Sequence, residues 1–582
     1  MQRWQLKFKW WQWLLISLVL VVYFWPYARL GLPITHDGEN HAARFARYYL
    51  AVKQGQWPPR VAPMLENGFG YPVFNYNYPL ANMLSLPLAV MKVDFELAFK
   101  IIIMMSVVMG VIACERWWSY LLPENKQLYL PLLAYLLTPY LYHAIWYRGN
   151  IGEVMIYGLL PVVVWQIERV RAHRRGAWWW LVVTGSAFLL AHNVMVLLCA
   201  PLILAYGWWR IIYQSTSELS TVIKKQRKTP SFYQTLVVKY RIGSEQLKMA
   251  VIAATLTLGC VGWFWWPALA EKKLVVMDNA SINNENLQHA VRMNQLLKMN
   301  YSDGFSYIGD VDGLGFGLGV TAVLVLMVSV SLLLTGRAQQ FYRPALVCVL
   351  VTMLIVLLLC QLPMSVGVWQ QWPGFNFVQF PWRWSLLTAL LSVLLLAVLK
   401  NNKWQQQLFW LCVCFLQLVL AIHARPTAFL HKNREDYLFY PQSTTTMREN
   451  APKTWMYDVT EKDTDRPEVA TGSGTVTAVE RLDTSKKKYQ VQCKDECLII
   501  EPTANFAGFV TLVDGEQVEY VDDEWIRGRI AYRVPAGDYQ VETTFTQNTA
   551  PRRWGNGVSV MCVVIVLGWG WWLWYQSWTK RK

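Results

Sequence analysis

Apolar runs of about twenty residues recur along most of this chain, separated by polar stretches that are mostly short. A helix of that length covers the roughly 30 Å of a bilayer's hydrocarbon core. The pattern predicts spans near 11–30, 97–118, 127–146, 153–170, 177–194, 195–212, 249–268, 315–335, 344–361, 384–400, 406–423 and 557–576, about twelve in all. The first run is long, lacks a small-residue cleavage pattern and is followed by further spans, so it reads as a retained helix rather than a signal peptide. The run 80–93 is apolar but short and contains Pro87. If it spanned, the basic stretch 169–175 would be forced outside, so it reads as an interfacial or re-entrant helix.

Between 424 and 555 the pattern changes. The segments 489–493 and 529–534 alternate with period two, and Asp514-Gly515 and 535–538 are turn signals. At about 130 residues this region is large enough to bury its own core. The expected organisation is a transmembrane domain at 1–423 with a large first loop at 31–96, a β-sandwich-like domain at 424–555, and a final helix with a basic tail at 556–582.

Charge adds orientation. The net charge is +16, yet residues 424–555 hold 21 of the 38 acidic residues and only 17 of the 54 basic ones. The basic surplus therefore lies elsewhere, in short loops, where it reports topology rather than nucleic-acid binding. Arg3, Lys7 and Lys9, the cluster Arg169, Arg171, Arg174 and Arg175, the connector with Lys224, Lys225, Arg227, Lys228, Lys239 and Arg241, and Lys580 to Lys582 all read as cytoplasmic. The termini are then inside and the β domain outside the cytoplasm. Of ten cysteines, eight lie in apolar segments; Cys493 and Cys497 are either a disulfide or two reduced thiols.

Candidate chemistry collects at the outer helix ends. His36, Asp37, Glu39 and His41 crowd into a short stretch just past the first span, where ionisable groups are costly to keep. Asp37 and His41 share a face if a helix starts there, and Asp37 is either a general base for an acceptor hydroxyl or simply the helix N-cap. The aromatic, Gly- and Pro-rich run that includes Arg60 and Tyr71 suits sugar rings or an interfacial aromatic belt equally well. Arg148 and Glu153 either pair with each other or serve as a phosphate ligand and a second active-site carboxylate. His192 and Asn193 read as an interhelical hydrogen-bonding pair, and Arg383 as a snorkelling or phosphate-binding residue. No phosphate-cradling glycine loop, zinc motif or nucleophile elbow is present, which counts against a nucleotide-dependent enzyme.

The residues His36-Asp37 and His41, then Gly55-x-Trp57-Pro58-x-Arg60, then Gly68-x-Gly70-Tyr71-Pro72-x-Phe74 resemble a family of bacterial and archaeal membrane proteins. The family is labelled 6-pyruvoyl-tetrahydropterin-synthase-related and looks like part of the GT-C class of membrane glycosyltransferases. Arg148-Gly149 with Glu153, and 380–383, match its later motifs, while 508–515 and 534–537 are similar to the β domain of related large proteins implicated in glycosylating lipoteichoic acid. The pterin label implies nothing, because no soluble pterin-synthase-like metal site is visible.

The resemblance implies a GT-C-like polytopic α-helical membrane protein, a polyprenyl-phosphate sugar donor and chemistry on the outer face. The catalytic role carries over to Asp37 and less directly to Glu153, with Glu39 a further candidate because this chain places Glu39-Asn40 between the aspartate and the second histidine. Arg148 or Arg383 would stabilise the departing phosphate, and His36, His41, Arg60, Tyr71, His192 and Asn193 would line the substrate. The acceptor would be a cell-envelope glycan or lipid. A divalent ion held by the outer carboxylates is left open, without an explicit ligand set. The competing readings are a transporter or flippase of a lipid-linked glycan, and a non-catalytic envelope scaffold. The first usually shows mid-membrane charges and a two-half repeat.

Overall fold

The computed structural model describes residues 9–213, 232–278, 285–298, 304–306, 313–372, 375–442, 444–445, 448–456 and 466–579. Seven helices are long and apolar enough to cross a membrane: Trp10–Ala28, Phe95–Leu121, Ile151–Arg171, Asn193–Ile211, Pro381–Val398, Trp404–His423 and Ala550–Thr579. Two further pairs qualify together but are bent, Ser244–Cys260 with Gly262–Ala270 by 68° and Pro344–Leu359 with Pro363–Trp369 by 97°. The described residues thus supply up to nine crossings by length and composition, against the twelve expected.

The other three expected spans are helical but shorter. Ala177–Leu189 has 13 residues and Val320–Leu334 has 15, less than a straight crossing of a bilayer core needs. The segment 127–146 breaks into Tyr129–Leu136 and Pro139–Trp146. Pro139 explains the break: proline disfavours helical backbone in the residue before it, and Thr138 is extended, with φ −63° and ψ 134°. The run 80–93 forms the short helix Leu80–Val90. The basic residues Arg3, Lys7, Lys224, Lys225, Arg227, Lys228 and Lys580 to Lys582 lie outside the described residues.

Helix Ile151–Arg171 is the most buried of the seven and packs on Phe95–Leu121. The two approach closely because Gly110 and Gly158 face each other, and a Cβ on Gly110 would lie 3.0 Å from Gly158 Cα. Small residues at a helix contact allow such backbone approach where the hydrophobic effect does not drive association.

The first loop forms helix Gly38–Lys53, a small antiparallel pair (Ala62–Met64 with Gly68–Tyr71) and helix Leu80–Val90. A distant segment covers it. Strand Phe429–Leu430 pairs antiparallel with Leu32–Pro33. Two buried arginines on the loop helix, Arg44 and Arg47, donate to the carbonyls of Thr444 and of Leu438 and Tyr440, respectively. Residues 425–442 therefore belong to the layer over the first loop, and the strands of the two C-terminal sheets begin only at Glu468.

The C-terminal sheets are antiparallel. One has the order Glu516–Gln517, Phe509–Val513, Gly537–Phe545, Lys486–Cys493, Gly474–Leu482, and the other Arg529–Val534, Cys497–Ala504, Glu468–Thr471. Val491 and Val541 from the first and Ile499 and Tyr532 from the second share one core. The alternation read in the sequence is the inward set, since Lys486–Cys493 alternates partly buried or exposed residues with buried ones. Cys493 and Cys497 form a disulfide. Asp514 and Gly515 both take positive φ, +48° and +90°, as a two-residue hairpin turn demands.

A buried ion pair ties the first loop, the bend after Gly262–Ala270 and the last helix together. Arg552 donates to Glu271 Oε2 at 2.8 Å and 3.1 Å, Asn75 adds a bond at 2.9 Å to the same oxygen, and Thr549 donates to Oε1 at 2.6 Å. Replacing Arg552 by Met would leave the Glu271 carboxylate buried and under-compensated. The expected cost is about 3–5 kcal/mol, read as a lower Tm of the purified protein in detergent. An unchanged Tm would remove this pair from the list of stabilising contacts.

Candidate functional site

The site is built where the first loop meets the start of helix Ile151–Arg171. Asn150 is the N-cap, with Oδ1 accepting from Glu153 N at 3.1 Å. In a capping box the glutamate at this third helical position would reach back to the cap's own N–H. Here that N–H already donates to Ala144 O at 2.9 Å, which leaves the Glu153 carboxylate for other partners.

Those partners are two arginines and a tyrosine. Arg148 pairs with Glu153 Oε2, Arg383 Nε lies 3.0 Å from Oε1, and Tyr140 donates to Oε2 at 2.6 Å. Glu153 is fully buried. Aromatic faces cover both guanidiniums: Arg148 lies 4.4 Å above the Trp382 ring and Arg383 lies 5.0 Å above Phe380. Such coverage favours a cation and shields it from water. A cavity of about 350 Å³, including solvent at its mouth, opens beside the cluster and is lined in part by Tyr140, His143, Arg148, Trp382 and Ser385.

Asp37 is brought to the same place by backbone bonds. His36 N donates to Tyr147 O at 3.0 Å and Asp37 N to Arg148 O at 2.8 Å. Between them sits Gly149, with φ +60°, where a Cβ would come within 2.8 Å of Gly38 N. Asp37 occupies the N-cap position of helix Gly38–Lys53, but its carboxylate makes no capping bond. Thr35 Oγ1 accepts from Gly38 N at 3.1 Å instead. The Asp37 carboxylate accepts from Asn150 Nδ2 at 3.2 Å and is half-buried.

The remaining expected residues divide into two groups. His36, half-buried, stacks on Phe305 with ring centres 4.1 Å apart. His41 is buried; burial first, then the positive fields of Arg44, His192 and Arg148, hold its pKa well below the usual histidine value. His192 stacks on Tyr78 at 4.6 Å and caps its own helix through Met195 N, while Asn193 donates to Tyr76 O at 2.7 Å. These surround the start of Ile151–Arg171, where Gly152 packs against Tyr78 and His192.

Glu39 sits apart, paired with Lys432 and about a third exposed. Arg60 and Tyr71 have their contacts elsewhere. Arg60 is fully buried and bonds Trp263 O and Asn556 beside the last helix. The Tyr71 hydroxyl bonds Thr445 at 2.6 Å and accepts from Asn450 N at 3.0 Å. Sequence reasoning passed over Tyr140 and Arg44, and took Asn150 and Tyr78 only as members of the outer turn and of the aromatic run. Only Asn150 carried a usable signal, an asparagine placed three residues before a glutamate at a helix start. Among the described residues no group of three or more His, Cys, Asp or Glu is arranged to hold a metal ion.

No family model matches the chain. An uncharacterised protein of Lactococcus lactis subsp. cremoris is 22% identical over 204 residues, which are 34% of this chain and 33% of that protein. Two solved structures are similar at low scores. ArnT from Cupriavidus metallidurans bound to undecaprenyl phosphate aligns at 14% identity with TM-score 0.38, over 69% of this chain and 63% of that one. The archaeal oligosaccharyltransferase AglB from Archaeoglobus fulgidus, in complex with an inhibitory peptide and a dolichol-phosphate, aligns at 10% identity with TM-score 0.37, over 77% and 62%. The chain thus spans a third of the curated relative and less than two thirds of either structure. Scores this low do not establish a shared fold, and the pterin-synthase-related label gains no support.

Gly149 allows a direct check of the loop contact. Gly149→Ala adds both left-handed strain, about 1–3 kcal/mol, and a clash with Gly38. Gly55 also has positive φ, +91°, but a methyl group there would meet nothing within 4 Å. Gly149→Ala is therefore expected to lower Tm clearly more than Gly55→Ala. Equal losses would show that the two loops do not press on each other there.

Proposed function

We propose that this chain is a membrane glycosyltransferase that moves a sugar from a polyprenyl-phosphate donor to an acceptor outside the cytoplasm, a cell-envelope glycan or lipid. The observation that carries the reading is the pairing of a carboxylate without a capping role, Asp37, with two aromatic-covered arginines held on a buried glutamate. Sugar transfer from a lipid phosphate needs a base for the acceptor hydroxyl and positive charge for the departing phosphate.

The charges suit one added anion. Arg148, Arg383 and Arg44, which lies within electrostatic reach of His41 and Tyr78, stand against Glu153 and Asp37. That leaves one positive charge in excess, matching the single negative charge of a phosphodiester. Arg148 and Arg383 would take the phosphate oxygens. Asp37 would remove the acceptor proton as the acceptor oxygen bonds the anomeric carbon and the bond from that carbon to the phosphate oxygen breaks. The product is an inverted glycoside, a free polyprenyl phosphate and a protonated aspartate that returns its proton to water.

In this reading Glu153 does not act as the base, because both its oxygens are engaged and it serves to orient the arginines. Glu39 serves the rim through Lys432. The β domain orients the acceptor and lies outside the cytoplasm with the first loop. The disulfide suits an oxidising compartment.

Transfer by purified protein in lipid, with a panel of radiolabelled polyprenyl-phosphate sugars and cell-envelope extract, tests the reading. Asp37→Asn is expected to lower turnover by about 10²–10⁴-fold while donor binding persists. Arg383→Gln is expected to weaken donor binding. Equal turnover by wild type and Asp37→Asn would remove the base, and failure to bind any polyprenyl phosphate would overturn the function.

A further inference from the structure

The turn that starts helix Ile151–Arg171 carries a residue whose two functional atoms point in different directions. Asn150 is buried, and its side-chain oxygen is committed to the Glu153 backbone N–H at 3.1 Å. That N–H can only donate, so the amide orientation is not free: the oxygen faces the helix and the NH₂ faces the other way. The NH₂ reaches Asp37 Oδ2 at 3.2 Å. Among the described residues Asp37 Oδ1 has no hydrogen-bond partner.

We propose that Asn150 is a positioning residue for Asp37, using its helix-capping bond as the fixed point from which it holds one carboxylate oxygen and leaves the other for the reacting proton. The inference rests on the reading of Asp37 as the base. It also joins two parts of the site that are far apart in sequence. The residue that orients Asp37 caps the helix whose third residue, Glu153, holds Arg148 and Arg383. The base and the phosphate cradle are then set by one turn, 148–153. A misplacement of about 1 Å in such a unit can cost on the order of 100-fold in rate.

The chemistry of the cap makes the role separable from folding. Aspartate and serine cap helices about as well as asparagine, so Asn150→Asp and Asn150→Ser keep the bond to Glu153 N. Aspartate has no donor for Asp37 and adds a like charge beside it, while the serine hydroxyl sits one atom back from the position of Asn150 Nδ2. The charged or titratable groups around Asp37, namely Arg148, Tyr78, His36 and His41, are the same in all three proteins.

The experiment uses the full chain in lipid. It records turnover against pH and, separately, the Asp37 carboxylate band by infrared difference spectroscopy against Asp37→Asn. Asn150→Ser should keep the wild-type Tm and donor affinity, and both Asn150 variants should lose about 10–100-fold in turnover. The carboxylate titration should move upward, further for Asn150→Asp than for Asn150→Ser, because a like charge disfavours ionisation. Variants with wild-type titration and wild-type turnover would overturn the proposal and leave Asn150 a helix cap only. A shifted titration with unchanged turnover would confirm the contact but remove Asp37 as the base, which separates failure of the functional reading from failure of this one.

Discussion

Two backbone N–H groups, those of His36 and Asp37, donate to the carbonyls of Tyr147 and Arg148, and this short pairing holds the first loop to the start of a buried helix. The approach is close enough that only glycine fits at 149. Everything polar at the site follows from it. With the two segments at this spacing, Asn150 reaches Asp37 on one side and caps its own helix on the other. Thr35 takes over the capping of Gly38, so Asp37 is not consumed by the helix it begins.

Buried charge is the second constraint, and it depends on the first. Glu153 with Arg148 and Arg383 would be costly to bury as separate ions. Arg383 engages one carboxylate oxygen and Arg148 with Tyr140 the other, and Trp382 and Phe380 cover the guanidinium faces. The same logic recurs at two other places. Glu168 is met by Arg210, Arg171 and Tyr206 near the opposite end of the same helix, and Glu271 by Arg552, Asn75 and Thr549. Only the Glu153 cluster lies beside the described cavity and next to a further carboxylate, Asp37, that is not itself ion-paired.

Much of the fold was legible because its signals are local. All twelve apolar runs are helical, the period-two segments are strands, and Asp514-Gly515 makes the predicted hairpin. What the runs could not convey is where a helix stops short, as at Thr138 before Pro139, or bends, as between Cys260 and Gly262. The site was half legible. Residues near one another in sequence, such as Arg148 and Glu153, invited pairing, and they do pair. Arg60 and Tyr71 share a loop with Asp37, yet their partners come from residues 263 and 556 and from 445 and 450, respectively. Sequence proximity carries no information about such contacts. The buried Lys487 and Glu501 pair between the two sheets was invisible for the same reason, since a lysine in an alternating strand reads as surface.

Asp37 was the first candidate by resemblance, Glu153 a less direct one and Glu39 a further one, and their surroundings differ in kind. Glu153 is buried with both oxygens engaged, so moving a proton onto either would compete with an arginine contact. Glu39 is wet and paired with a flexible lysine, so its position is loosely held. Asp37 is between these limits: half-buried, bonded at one oxygen by a neutral donor, and within the field of Arg148. A base must be ionised, accessible at one atom and fixed in direction. A neutral amide fixes the direction of one carboxylate oxygen and leaves the other accessible. In the proposed reading, the division of labour between Asn150 on Asp37 and arginine on Glu153 would separate proton transfer from charge stabilisation, using residues that lie within one turn of each other.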